Sequence, residues 1–236
     1  MPIYWLDERL VFPPTSLADA HGLLAVGGDL GTERLRLAYT QGIFPWYDEA
    51  ETPILWHSPW TRYAITQESF RCNRSTRRAI RRHPYEIRFD TDFGRIVQEC
   101  AEIERPGQDG TWIGVQMSRA YERLFENGLA HCASAYHGTE LVGGLYGVTI
   151  GSVFFGESMF SRVPDASKII FGQLAPLLFQ LGYTLIDCQV ETEHLNRFGA
   201  QPFSRNMFEN MLASQTRTQL AISWPTDALS ARNWNV

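Results

Sequence analysis

The chain has 236 residues, 21 Lys+Arg against 26 Asp+Glu for a formal net charge of −5, and 44% hydrophobic and 13% aromatic residues. That is enough apolar material for one large domain, or a small domain beside a larger one, and it excludes a disordered chain. No apolar run reaches the ~20 residues a membrane helix needs, no basic-then-apolar leader opens the chain, and a mildly acidic total does not announce a nucleic-acid partner.

Residues 1–60 hold six of the twelve prolines and four of the seven tryptophans (Trp5, Trp46, Trp56, Trp60). This predicts a small, irregular N-terminal domain in which aromatics supply the packing. One helix is expected there from Glu33 to Gln41, capped by Thr32 and stopped by Gly42. The boundary is placed between Pro59 and Arg62, giving domains 1–60 and 61–236. Asn73 then caps a predicted helix over Arg74–His83, ended by Pro84, and residues 85–89 alternate as a strand. Phe93, Ile96, Val97 and Cys100 repeat at helical spacing, as do Tyr121, Leu124 and Phe125 before Gly128. Residues 141–150 and 153–160 read as two strands joined at Gly151-Ser152, a two-residue hairpin. A helix over 167–181 stops at Gly182, residues 184–190 form another strand, and two short helices follow, one stopped by Gly199 and one capped by Ser204. This order predicts an α+β fold with a mostly antiparallel sheet.

Cys72, Cys100, Cys132 and Cys188 form no Cys-x-x-Cys pair, and the histidines form no His-x-His or His-Glu-x-x-His pattern, so no metal site is expected and free thiols fit a reducing cytoplasm. Gly156-Glu157-Ser158-Met159-Phe160 lacks the closing glycine of a nucleophile elbow, which excludes Ser158 as a hydrolase nucleophile. Gly27-Gly28-Asp29 has no following lysine and reads as a turn.

Of the 21 basic residues all but Lys168 are arginines, and between Glu68 and Glu86 there is no acid at all. Arg74, Arg77, Arg78 and Arg81 follow i, i+3, i+4, i+7 and share one helical face, with Arg82 beside them. Such a face repels itself by ~0.2–0.5 kcal/mol per i, i+4 pair. Either acidic partners come from elsewhere in the fold, or the face meets phosphate, whose oxygens match the guanidinium fork. The second reading is preferred because no acid is interspersed.

Strict alternation puts Leu185, Asp187 and Gln189 on one face of an apolar strand, and Phe155, Glu157 and Met159 on one face of another. Polar groups buried there unpaired cost about 1–3 kcal/mol each. Mutual satisfaction and a polar reaction centre beside an apolar pocket both answer that cost, and periodicity does not choose between them.

A resemblance chooses. Gly22-Leu-Leu-Ala-Val-Gly-Gly-Asp-Leu30, Gly42-Ile-Phe-Pro-Trp46, Pro53-Ile-Leu-Trp56, Gly110-Thr-Trp-Ile113, Leu141-Val-Gly-Gly-Leu-Tyr-Gly147, Gly156-Glu-Ser-Met-Phe-Ser-Arg162, Ala166-Ser-Lys168 and Leu185-Ile-Asp-Cys-Gln-Val190 together resemble the leucyl/phenylalanyl-tRNA–protein transferases, in that family's order across nearly the whole chain. The resemblance implies a cytoplasmic enzyme that moves Leu or Phe from aminoacyl-tRNA to the α-amine of proteins beginning with Arg or Lys, marking them for N-end rule degradation. It implies a small N-terminal domain followed by a GNAT-like acyltransferase domain. The family's catalytic positions fall on Glu157, Asp187 and Gln189. Its tRNA-facing aromatics match Trp46 and Trp112, and its basic helix matches Arg74, Arg77, Arg78, Arg81 and Arg82. The aminoacyl pocket maps to Leu145, Phe154, Leu174, Leu178 and Ile186, with Gly156 and Ser158 nearby. Other members carry Met at the first of these and Phe at the third and fourth, so leucines there change the pocket's shape. An aminoacyl-tRNA is already an activated ester, so no metal, cofactor or covalent intermediate is expected; the protein is expected to act as a monomer and away from membranes. Two rivals are an acyl-CoA-dependent N-acyltransferase, for which the Arg/Gln-x-x-Gly-x-Gly/Ala pyrophosphate loop is missing, and a non-catalytic RNA-binding module, which leaves the polar residues at 157, 187 and 189 without a purpose.

Overall fold

The computed structural model describes residues 3–50, 52–103, 112–218, 220, 224 and 225; Gly110 and Thr111 of the resembling segments lie outside them. The chain begins in a small sheet of short strands, β1 (Tyr4–Leu6), β2 (Leu23–Gly27), β3 (Phe44–Pro45) and β4 (Leu55–His57), in the order β1-β2-β4-β3, with helix α1 (Thr32–Thr40) before β3. Thr32 is the first helical residue of α1 rather than its cap; Gly31 takes the N-cap position, and Asp29 Oδ1 accepts its N–H at 2.7 Å.

From Thr61 onward the strands belong to a second sheet of seven. Its strands are β5 (Thr61–Thr66), β6 (Glu86–Phe89), β7 (Ala130–His137), β8 (Glu140–Ile150), β9 (Val153–Ser161), β10 (Leu185–Gln189) and β11 (Gln201–Ser204), arranged β11-β5-β10-β9-β8-β7-β6. Every neighbouring pair is antiparallel except β9 with β10. That parallel step requires a crossover, supplied by helix α5 (Ala166–Gln180). The remaining helices are α2 (Arg74–Arg82), α3 (Phe93–Glu102), α4 (Val115–Glu126), α6 (Glu193–Asn196) and α7 (Arg205–Gln215). None among the described residues is long and apolar enough to cross a membrane.

Local signals explain these elements. Asn73 Oδ1 accepts the Thr76 N–H at 2.8 Å and starts α2. Ile150 pairs with Val153 across a two-residue turn in which Gly151 has φ +60°, the left-handed geometry that such hairpins require. Strand β8 is buried on both faces, since helices cover each side of the sheet. On one face Phe155, Tyr146 and Leu185 pack with Ile96 of α3, Tyr121 of α4, Tyr39 of α1 and Phe208 of α7. On the other, Leu145, Phe154 and Ile186 pack with Ile170, Phe171, Leu174 and Leu178 of α5. The first of these cores also holds Leu24 and Trp56, so apolar packing continues from the small sheet into the large one.

Two irregularities shape the middle of the sheet. Ser158 pairs with Tyr146, but Gly156 pairs with Gly147, so Glu157 is the extra residue of a β-bulge. Asp187 pairs with Ala64 and Gln189 with Tyr63, so Cys188 is the extra residue of a second. The first bulge corrects the expectation from strict alternation. Phe155 and Met159 do not share a face: Phe155 packs in the first core and Met159 against the second.

Candidate active site

The parallel pairing of β9 and β10 ends at Phe155 with Asp187, and beyond it a cleft of about 430 Å³ opens. Glu157, Asp187 and Gln189 line it, with Trp46, Trp112, Leu145, Phe154, Gly156, Ser158 and Ile186. Most of the residues singled out from sequence therefore meet in one place, although they come from widely separated segments.

Asp187 is fully buried, and so is the guanidinium that faces it. Arg62 Nε donates to Oδ1 at 2.8 Å and Nη2 to Oδ2 at 2.6 Å, a two-pronged pair. Arg62 Nη1 donates to the Gly42 carbonyl at 3.1 Å, and the guanidinium lies over Phe44 and Phe208, 4.5 and 5.0 Å from their centroids. Oδ1 also accepts the Gln189 N–H at 2.9 Å. Both Asp187 oxygens are thus committed to holding structure. What they hold is unusual backbone: Gln189 has φ +60°, a conformation that costs a non-glycine residue on the order of 1 kcal/mol and persists only when its surroundings impose it. In this position the Gln189 side chain donates through Nε2 to Glu157 Oε1 at 3.0 Å.

Glu157, half-buried, collects further donors. Tyr39 of α1 donates to Oε1 at 2.8 Å and Tyr121 of α4 to Oε2 at 2.6 Å, while the two phenol oxygens lie 3.1 Å apart. Loss of hydration pushes the Glu157 carboxyl up to about 7, against the opposing pull of bonds from Tyr121, Tyr39 and Gln189; the nearby Asp187 charge adds to the rise. Both phenols are fully buried and held well above their ordinary range, first by burial and next by the Glu157 charge. A carboxyl that titrates near neutrality at the floor of a cleft is equipped to exchange a proton at physiological pH.

Arg62, Tyr39 and Tyr121 escape a reading of sequence alone. Arg62 carries the one available signal, a charge on an otherwise uncharged strand two residues before buried Ala64 and Ile65. The tyrosines read as ordinary core residues of amphipathic helices.

The apolar wall differs in part from expectation. Phe44, Met159, Phe171 and Leu195 line the cleft. Leu174 and Leu178 do not; both are fully buried in the core behind Leu145, Phe154 and Ile186. They continue the stripe that begins at Phe171, but about 4.5 and 10.5 Å further along the axis of α5, and so pass beneath the sheet. Trp46 is 46% exposed at the mouth, and the Trp112 ring stands edge-on to Tyr121 at 6.4 Å.

The arginine helix does not reach the cleft. Arg74, Arg77, Arg78, Arg81 and Arg82 are all exposed, and none forms an ion pair with the described residues. The opposite side of α2 is buried on α5, where Thr76 and Ile80 lie against Gly172. His83, which ends the helix, sits 3.1 Å from Gln173. One side of α5 thus presents Phe171 to the cleft while another carries the basic helix.

Comparison with known proteins identifies the family. A family model described as leucyl/phenylalanyl-tRNA protein transferase matches residues 64–213, and that of the same family's N-terminal domain matches residues 28–59. The chain is 51% identical over 215 residues to a leucyl/phenylalanyl-tRNA–protein transferase of Myxococcus xanthus, covering 90% of this chain and 92% of the relative. It is 50% identical over 213 residues to that of Syntrophobacter fumaroxidans, covering 90% and 91%. Among solved structures, FemX aligns with a TM-score of 0.48 at 12% identity over 74% of this chain and 67% of its own. A GCN5-related N-acetyltransferase-like protein from Streptococcus suis aligns with a TM-score of 0.35 at 15% identity over 70% and 61%. With half of its residues shared with such relatives over nine-tenths of its length, the chain belongs to the leucyl/phenylalanyl-tRNA–protein transferase family.

Proposed function

We propose that this protein moves leucine or phenylalanine, and also methionine, from aminoacyl-tRNA to the N-terminal α-amine of proteins that begin with Arg or Lys, in the cytoplasm and as a monomer, tagging them for degradation. Residues 1–60 would form a small domain that contributes to tRNA binding, and residues 61–236 a GNAT-like catalytic domain. The observation that carries this reading is the cleft itself, which joins an apolar wall, two tryptophans of which Trp46 is exposed, and at the floor a titratable Glu157 bonded by Gln189.

The substrate ester supplies its own activation, so the protein has to hold a neutral amine against the ester carbon. Proximity of that kind is worth roughly 7–11 kcal/mol. Gln189 would orient the amine through its side chain, Asp187 would hold Gln189 and Glu157 would meet the amine. The side chain of the transferred residue would lie against Leu145, Phe154 and Ile186, where each methylene discriminates by only ~1–3 kcal/mol; this is why methionine passes. The terminal adenine would stack on Trp46 or Trp112, a contact worth ~1–3 kcal/mol. Phosphates further along the acceptor stem would meet the arginine helix.

Purified protein offered labelled leucyl-tRNA or labelled acetyl-CoA, with a peptide beginning in Arg, is expected to move label from the tRNA only. Label arriving from acetyl-CoA would replace this reading with an acyl-CoA-dependent acyltransferase, and RNA binding without transfer would replace it with a binding module. Changing Arg77, Arg78 and Arg81 together to Ala should raise KM for aminoacyl-tRNA and flatten its dependence on salt, since each lost phosphate contact lowers the slope by nearly one. An unchanged slope would return α2 to a solvated face.

A further inference from the structure

Glu157, Tyr39 and Tyr121 make three mutual oxygen contacts of 2.8, 2.6 and 3.1 Å, so each oxygen-bearing group touches the other two. Proton counting gives this triangle its meaning. Each phenol owns one proton, and a carboxylate owns none. With Glu157 ionised there are two protons for three contacts; both phenols donate to the carboxylate and their own oxygens meet without a proton between them. With Glu157 protonated there are three protons for three contacts, and the ring closes: carboxyl to one phenol, that phenol to the next, and the second phenol back to the other carboxylate oxygen. The ring closes equally well in the reverse sense. Gln189 Nε2 holds a further position on Oε1; once an entering proton is turned toward a phenol, a shift of three hydrogens around the ring carries it to the other carboxylate oxygen, with no rotation of the carboxyl group.

We propose that Glu157, Tyr39 and Tyr121 act as one proton-carrying ring that takes the proton released by the attacking amine and returns it to the leaving ribose oxygen. The inference rests on the aminoacyl transfer proposed above. As the C–N bond forms, an N–H proton passes to the ionised Glu157 carboxylate. As the ester C–O bond breaks, the ring gives a proton to the departing oxygen, and the products are an amide and a free hydroxyl with Glu157 ionised again. Nothing is consumed besides the two substrates. Three features suit the ring to this task. Glu157 lines the cleft, whereas both phenols are sealed from solvent, so protons enter and leave the ring only at Glu157. The carboxyl titrates near neutrality and so serves in both directions. Asp187, the other carboxylate of the cleft, has both oxygens engaged by Arg62 and the Gln189 amide and is not free to turn over a proton. Tyr39 and Tyr121 are then positioning residues acting through Glu157.

The test is single-turnover transfer from leucyl-tRNA to an Arg-initiated peptide, with enzyme in excess, in mixtures of H2O and D2O. The wild type is expected to give a bowed dependence of rate on deuterium fraction, as several protons move together. Tyr39→Phe and Tyr121→Phe should each give a straight line and a rate about 10-fold or more lower, a modest part of what positioned acid–base groups supply. Their KM for leucyl-tRNA should be unchanged. Because opening the ring at either phenol breaks all of it, the double variant should be no slower than the slower single variant; multiplied losses would mean two independent donors and overturn the ring. A straight line for the wild type overturns it whether or not the variants fold. If the wild type transfers nothing from tRNA, the proposed function fails separately. The ring is then judged on the free protein by 13C NMR titration of the Glu157 carboxyl, identified by its loss in Glu157→Gln. A double-variant midpoint shift that differs from the sum of the two single-variant shifts supports the ring, because either change alone already opens it, and strictly additive shifts sink it.

Discussion

Replacing Arg62 with methionine is expected to cost about 3–5 kcal/mol of stability and to abolish transfer activity. The carboxylate it leaves behind is fully buried, and stranding one member of a buried ion pair carries a penalty of that size. The Gly42 carbonyl loses its donor and the Phe44 and Phe208 rings lose the cation over them. In a chain of this length such a loss lowers Tm by about 6–20 °C. The more telling variant removes both partners. Arg62→Met with Asp187→Leu fills the site with apolar atoms, and such replacements recover most of the stability. Activity should stay lost, because the Gln189 N–H no longer has the acceptor that holds its left-handed backbone, and its side chain leaves Glu157. Thermal melts and single-turnover transfer on the two variants separate these roles. A stable and fully active double variant would show that the pair serves packing alone.

Glu157→Gln is expected to stabilise the protein above pH 7 while cutting transfer about 100-fold or more, the low end of what a positioned proton acceptor contributes. The folded protein holds the Glu157 proton more tightly than the unfolded chain does, with a midpoint moved from 4.5 up to about 7. Between those values the folded state binds more protons, so stability falls as pH rises. The favourable contribution is complete below pH about 4.5, is lost by pH about 7 and changes no further beyond. Its full extent is on the order of 3 kcal/mol. The glutamine variant has no such titration. The two proteins should melt together in acid and diverge through the window from about 4.5 to 7, with the wild type lower at pH 8. Parallel melting curves across that range would show that Glu157 remains ionised throughout.

Features set by neighbouring residues were legible in the sequence, and those set by distant segments were not. Local chemistry announced the caps and turns: Asn73 needs only Thr76, and Gly151-Ser152 needs only its flanking strands. The small sheet gave no such signal, because strands of two to five residues are too short to show a period. The polar residues of β9 and β10 were visible as misfits on apolar strands. Their true directions were not, because a bulge at Glu157 and another at Cys188 shift the alternation on which that reading depends. Arg62 and the two tyrosines acquire their roles only when distant segments meet, and nothing near them in sequence records the meeting. The leucines at 174 and 178 show the converse: matching family positions pointed to α5, of which Phe171 lines the cleft, while both leucines lie buried further along it.

Those distant meetings also govern when a newly made chain becomes active. Tyr39 reaches Glu157 across 118 residues, Arg62 reaches Asp187 across 125, and Arg205 spans 190 residues to the Thr15 carbonyl. Contacts of such separation form late and slowly, after the cost of closing large loops has been met. While the ribosome is still building the first two-thirds of the chain, Tyr39 has no carboxylate to hold and Arg62 no partner. The geometry of the cleft is therefore complete only after Asp187 and Gln189 have been made, and a shorter, partly synthesised chain holds no assembled centre.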